Sequence, residues 1–261
     1  MNLQIPPSSR PTTRISLVSV SQLAMLASQK WAVKNVIPAD GLIVVYAPPA
    51  SGKTFFIVDC GLRIAHGLEA FGRSVKPGAV IFVAGEGLSG LKKRIKAWYQ
   101  SSGLGMEGVS AYVYPTALNL MDESQVLAFI NQAKQVQCAP ADGPLLIVID
   151  TLSRCFGDGD ENSQRDMNQA VRSCDLLRTA LGCSVCVVHH TGKNQNGPRG
   201  STALSGAADT IIEVRRAAFG LEVTIEKQKD ADSGQVYGFN LEKVDLGFDE
   251  DDESVSSPDY S

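Results

Sequence analysis

The stretch Ala47-Pro48-Pro49-Ala50-Ser51-Gly52-Lys53-Thr54 follows a continuous apolar run, residues 41–47, and leads into a segment of helical spacing, with Phe56, Cys60 and Ile64 on one face. A loop of small residues between a buried strand and a helix suits a phosphate group. The helix N-terminus offers unpaired N–H groups and a partial positive charge, and Gly52 lets the backbone approach closely. Lys53 reaches the outer phosphates and the Thr54 hydroxyl can ligate Mg²⁺. The phosphate-facing stretch is taken as Ala47, Pro48, Pro49, Ala50, Ser51, Gly52, Lys53, Thr54 and Phe55. Alanine stands at position 47 where this pattern ordinarily has glycine. Pro48 pushes Ala47 towards extended geometry. The expectation is an altered start to the loop with phosphate binding intact.

Three other strand ends carry groups that suit the same chemistry. Asp150 closes the apolar run Leu-Leu-Ile-Val-Ile-Asp, where a carboxylate can hold a magnesium ion's water shell. Glu86 lies between Gly85 and Gly87 at the end of another such run and can activate an attacking water. His189 and His190 end a third run. Adjacent strand residues point to opposite faces, so one histidine can sense a terminal phosphate while the other packs away. Cys183, Cys186 and His189 are spaced like metal ligands. Residues three apart on a strand face opposite ways, so the reading there is buried strand cysteines rather than a metal site.

The elements that must position these groups alternate. Strands are expected at 41–47, 78–87, 109–115, 144–150 and 183–190, the first, second and fourth of them buried, and helices at 53–67, 88–100, 123–137 and 162–182. The helix at 88–100 carries Leu88, Leu91, Ile95 and Trp98 on one face and Lys92, Lys93, Arg94 and Lys96 as a solvated basic face. Such alternation implies a mainly parallel sheet with helices on both faces. Strands at 209–216, 221–228 and 237–244, joined by short turns, then suggest an antiparallel meander extending the sheet. The expected domains are a leader with a short helix over 1–30, one α/β domain over 31–247 and a disordered acidic tail over 248–261.

A chain of 261 residues with 44% hydrophobic and 20% charged residues can build a sizeable core. Its net charge of −4 excludes a polycation, so any nucleic-acid contact must be local. The polar, proline-rich start is unlike a secretory signal, no apolar stretch approaches the ~20 residues of a membrane helix, and the six cysteines are scattered. The expectation is a soluble cytoplasmic protein with reduced thiols and no membrane partner.

Taken together, the stretches APPASGKT, VAGEGLSGLKKRIKAW, LLIVIDTLSR, VVHHTGKNQNGPRGSTALSGAADTIIEV and EKQKD resemble the RecA-like P-loop ATPases, and more narrowly the RepA-like group of hexameric helicases and phage-encoded ATPases. The resemblance runs from about Trp31 to Gly247. It implies a RecA-like core that binds ATP and Mg²⁺ and hydrolyses ATP between subunits of a homo-oligomeric ring or filament. It also implies Glu86 as the catalytic glutamate, and His190 or His189 as the polar sensor. Lys227 and Lys229 fall where helicases of this group carry a basic finger directed at a neighbour's γ-phosphate; the helicases usually have arginine in the second place. In the family the segment 191–208 faces a central channel and contacts single-stranded DNA, which makes Lys193, Arg199, Gly200 and Ser201 the candidate contacts. Arg199 can alternatively serve the neighbour's nucleotide, or these side chains can simply be solvated. A second, acidic segment, 153–165, is a weaker candidate. The tail acids Asp249 to Glu253 suit either a basic partner, such as a replication or recombination protein, or a solubility role. The function expected is an ATP-driven motor on single-stranded DNA, a replicative or recombination-associated helicase. The alternatives are a DNA-pairing or helicase-loader ATPase that does not unwind, and a regulatory nucleotide-binding module without DNA.

Overall fold

The computed structural model describes residues 18–25, 29–136, 140–192, 197–218, 220–248 and 254–260. A short helix α1 (Val20–Ala24) and a two-stranded sheet of β1 (Trp31–Val33) and β2 (Ile37–Pro38) precede the main body. At its centre β3 (Leu42–Ala47) lies between β7 (Ser184–His190) and β8 (Thr210–Ala217). Beyond β7 come β6 (Leu145–Asp150), β4 (Ala79–Ala84) and the edge strand β5 (Ala111–Tyr114). Beyond β8 come β9 (Gly220–Gln228) and β10 (Val236–Phe239). Strands β8 through β5 in this order are all parallel, and β9 and β10 are antiparallel.

Unbroken apolar runs become central parallel strands because both faces of such a sheet are covered. Every residue of β3 and β4 is buried. Ile43, Val45 and Ala47 of β3 face a core formed with α2 (Lys53–His66) and α3 (Leu88–Ser102). Leu42, Val44 and Tyr46 face the other core, formed with α4 (Glu123–Ala133), α5 (Gln164–Leu181) and α6 (Ala203–Ala207). Local chemistry sets the helix limits. Asp122 accepts from the N–H groups of Ser124 and Gln125 to start α4, Ser163 caps α5 through Asp166 N–H, and Gly67 ends α2 at φ 68°. The result is an α/β fold with a mainly parallel central sheet, helices on both faces and antiparallel strands at its C-terminal side.

Several expectations are corrected. The first strand of the meander, β8, runs parallel to β3 with Ile43 opposite Thr210, so the antiparallel part begins only at β9. The strand expected at 237–244 is two strands. Asn240 separates β10, which stays in the sheet, from β11 (Leu241–Phe248), which leaves it to pair with β12 (Ser254–Tyr260). A hydrogen bond from Gln100 Nε2 to the Asp245 carbonyl, 2.7 Å, ties β11 to the end of α3. Part of the tail expected as disordered is therefore a strand. Pro258 is tolerated there because β12 is an edge. Acids 249–253 lie outside the described residues, as do residues 1–17 and 26–28 of the leader and short helix expected over 1–30. Leu88, expected on the buried face of α3, is 47% exposed because it opens the helix beyond the core.

Candidate active site

Parallel strands end together, and register brings the chemistry to one rim. Ala47 pairs with His190, and Asp150 pairs with Ala84, two residues before Glu86. The C-terminal rim of an open parallel sheet is where such folds place ligands.

The phosphate loop leaves β3 with Ala47 still extended and fully buried. The left-handed residue falls at Ala50, φ 57°, and a second at Gly52, φ 94°. Ala47 thus needs no left-handed geometry, and the left-handed alanine at position 50 costs roughly 1 kcal/mol. Ser51 closes the turn, its hydroxyl donating to the Pro48 carbonyl at 2.5 Å. Pro48 and Pro49 form the outer bend, Thr54 and Phe55 the first turn of α2, and Lys53 is only 6% exposed.

Lys53 Nζ lies 3.2 Å from His190 Nδ1. His190 shares the α2 face of the sheet with Ala47, and its imidazole is held below its ordinary range by burial and then by the Lys53 charge. The neutral ring can therefore accept from the ammonium. Burial also lowers Lys53, against the pull of Glu86 and Asp150. His189 points the other way. It is fully buried, and its Nε2 donates to the Arg199 carbonyl at 2.9 Å. The strand geometry thus assigns the loop-facing position to His190.

Burial raises the Asp150 carboxyl to about 6; the Glu86 charge adds to this, while a hydrogen bond with Thr54 and the charges of Lys53 and Arg94 oppose it. Its Oδ1 is buried without a hydrogen-bond partner. An orphaned carboxylate oxygen beside the Thr54 hydroxyl fits Mg²⁺, a hard cation that takes one or two protein oxygens and completes its shell with water and phosphate. Among the described residues no group of three or more His, Cys, Asp or Glu side chains could hold a metal by itself, so the site suits a nucleotide-borne ion rather than a protein cage. Glu86 is exposed at the rim and accepts from Thr151 Oγ1 at 3.1 Å. The peptide between Asp150 and Thr151 is cis.

The loop after β7 is fastened from both sides. Thr191 N–H donates to the Ala47 carbonyl at 3.2 Å and Arg199 N–H to the His190 carbonyl at 2.8 Å. Ser201 N–H donates to the Glu161 carbonyl, and Arg199 Nε lies 3.7 Å from the Glu161 carboxylate, which also accepts from Ser153 Oγ. A Cβ at Gly200 would run into the Glu161 carbonyl, and its φ of 86° also favours glycine. Residues 199–201 of the candidate DNA segment are therefore braced against 153–163, and the short helix α6 follows them. Lys193 lies outside the described residues.

Lys227 and Lys229 lie elsewhere. Lys229 N–H donates to the Asp209 carbonyl and its Nζ sits 3.4 Å from Asp209 Oδ1, while Lys227 Nζ reaches the Ser205 carbonyl. Asp209 also accepts from Leu42 N–H at the start of β3, so both lysines are at the rim opposite the phosphate loop. Cys183 and Cys186 are buried on opposite faces of the sheet. One cation was missed in the sequence. Arg94, read as part of a solvated face with Lys92, Lys93 and Lys96, is half-buried and borders Thr54, Glu86 and Asp150. Its signal is Gly90 four residues earlier, a glycine inside a helix that asks for a reason.

A strand-loop-helix phosphate cradle, with acidic tips on neighbouring strands and a polar residue on the adjoining one, defines a P-loop ATPase domain of RecA-like architecture. A family model described as "AAA domain" matches residues 7–196, and the chain belongs to that family. No curated protein matches it. Among solved structures, the ATPase domain of another protein superposes with a TM-score of 0.57 at 15% identity, covering 78% of this chain and 82% of that one. That likeness is one of fold. The family match stops before the braced loop at 197–202 and before β9, which carries Lys227 and is followed by Lys229.

Proposed function

We propose that the chain hydrolyses ATP and uses the hydrolysis to move on or remodel single-stranded DNA as a homo-oligomer, a hexameric ring of helicase type. The observation that carries this reading is the joint between chemistry and loop. His190 touches Lys53 with its side chain and holds Arg199 N–H with its carbonyl. A terminal phosphate drawing Lys53 away would therefore act on the residue to which the candidate DNA loop is tied.

In this reading Lys53 and the loop N–H groups hold the phosphates, and Thr54 and Asp150 hold the magnesium ion and its waters. The ion, when bound, screens the charge on the outer phosphates. Glu86, exposed at the rim and oriented by Thr151, takes the proton of the attacking water. His190 reports whether the terminal phosphate is present. Lys193, Arg199, Gly200 and Ser201 meet the DNA backbone. Arg199 must then exchange Glu161 for phosphate. Lys227 and Lys229, at the far rim, complete a neighbouring subunit's site. The acidic segment 249–253 would recruit a basic replication or recombination partner. No helix among the described residues is long and apolar enough to cross a membrane, and we place the protein in the cytoplasm.

The test is ATP turnover with and without single-stranded DNA, alongside the mass of the assembled state. Stimulation by DNA and a mass of several chains is expected. A monomer whose turnover ignores DNA, and which does not bind DNA at low salt, would sink the motor reading and leave a nucleotide-dependent regulatory module.

A further inference from the structure

Arg94 sits in the second turn of α3, the helix that starts directly after Glu86 and Gly87. Its side chain folds back along the helix. A Cβ on Gly90 would lie 2.8 Å from its Nη1, so the guanidinium occupies the notch that glycine leaves open. From the other side the Phe55 ring supports it, with Cζ 4.8 Å from the ring centroid. This seat joins two helices and holds the planar head in one orientation. Its Nε is buried without a hydrogen-bond partner, and among the described residues no carboxylate lies within ion-pair distance of it.

A half-buried cation with an orphaned donor, near the carboxylates of Glu86 and Asp150 but in ion-pair contact with neither, has a donor left for a further anion. Its polar neighbours say which anion. Together with Thr54, Glu86 and Asp150 it lines a cavity of about 20 Å³, room for about one water molecule. These are the side chains of the terminal-phosphate and metal side of the site. Its charge also acts on both Lys53 and Asp150.

We propose that Arg94, seated between Gly90 and Phe55, is a third cation of the nucleotide site, contacting the terminal phosphate of a bound triphosphate and setting the preference for ATP over ADP. The inference rests on the nucleotide site lying at the phosphate loop. Guanidinium suits the role because its fixed fork can stack on a ring and still donate to phosphate oxygens.

The experiment measures Kd for ATP and for ADP, each with Mg²⁺, by competition against a fluorescent nucleotide, in wild type, Arg94→Gln, Arg94→Lys and Gly90→Ala. Arg94→Gln is expected to weaken ATP about tenfold more than ADP. Arg94→Lys should fall between, keeping charge without the fork. Gly90→Ala should shift the ratio in the same direction but by less, since it crowds the guanidinium in its notch while favouring the helix. If the ATP-to-ADP ratio stays at its wild-type value in both Arg94→Gln and Gly90→Ala, whether both affinities hold or both fall together, Arg94 is a structural prop and the proposal is overturned. Wild type and Lys53→Ala serve as references. Binding by the first and not the second upholds the site, so Arg94 is judged by the ratio alone, whereas no binding by wild type overturns both.

Discussion

At the residue scale, each rim group makes a separable contribution. Lys53→Ala removes the buried ammonium beside His190 and should abolish ATP turnover; a rate like wild type would contradict the loop assignment. Glu86→Gln keeps the shape of the rim and removes the base. It should still bind ATP and hydrolyse it at least about 100-fold more slowly, and single-turnover measurement checks this. His189 gives a pH signature. Burial holds its imidazole below the ordinary value of 6.5, against the opposing effects of Glu161 and of its bond to the Arg199 carbonyl. The unfolded chain therefore takes up this proton near 6.5 while the folded chain resists it, so the His189 contribution to stability is lost as pH falls through that value. Denaturation midpoints at about pH 7.5 and about pH 5.5 should differ less in His189→Gln than in wild type. Asp150 works in the opposite direction. Its folded value near 6 stands above the ordinary 3.8, so this group favours the folded state at low pH and that contribution fades as pH rises through the interval.

At the element scale, the helices that carry the site must lie close to the sheet. Gly61 of α2 packs against β4, where a Cβ would come within 2.6 Å of the Phe82 ring. Gly61→Leu should lift α2 and cost about 1–3 kcal/mol by chemical denaturation, with weaker nucleotide binding as a consequence. Trp98 of α3 donates to the buried Asp59 of α2 at 2.8 Å and so fixes the spacing of the two helices. This scale also shows what can be read without coordinates. The phosphate loop, Asp150, Glu86 and the histidine pair are legible because each ends an apolar run, and the strands themselves are legible because they are buried on both faces. Which histidine faces the loop was not, since that depends on the register of β7 against β3. Arg94 was hidden because its seat is built from two helices, and a lysine-rich neighbourhood looks solvated. The break at Asn240 and the pairing of β12 were hidden because polar, weakly alternating segments form strands only when a partner edge is present.

At the scale of the whole molecule, the phosphate loop and the lysine pair occupy opposite rims of one sheet. If the lysine pair serves a neighbour as proposed, the two chains must meet head to tail, a contact that closes into rings or runs on as filaments. Mixing two inactive variants tests this. Lys53→Ala keeps the lysine pair and Lys229→Ala keeps the loop, so together they should regain turnover at roughly a quarter of the interfaces when mixed equally. Mixtures as silent as their components would remove Lys229 from the neighbour's site. The sheet divides the molecule into two sides, and β7 alone puts a histidine on each at its tip. Two α-carbons about 3.8 Å apart separate them, with no relay of packed side chains between. A displacement of the strand end on the nucleotide side would therefore reach the buried His189 ring, and with it the Arg199 carbonyl, through the backbone alone.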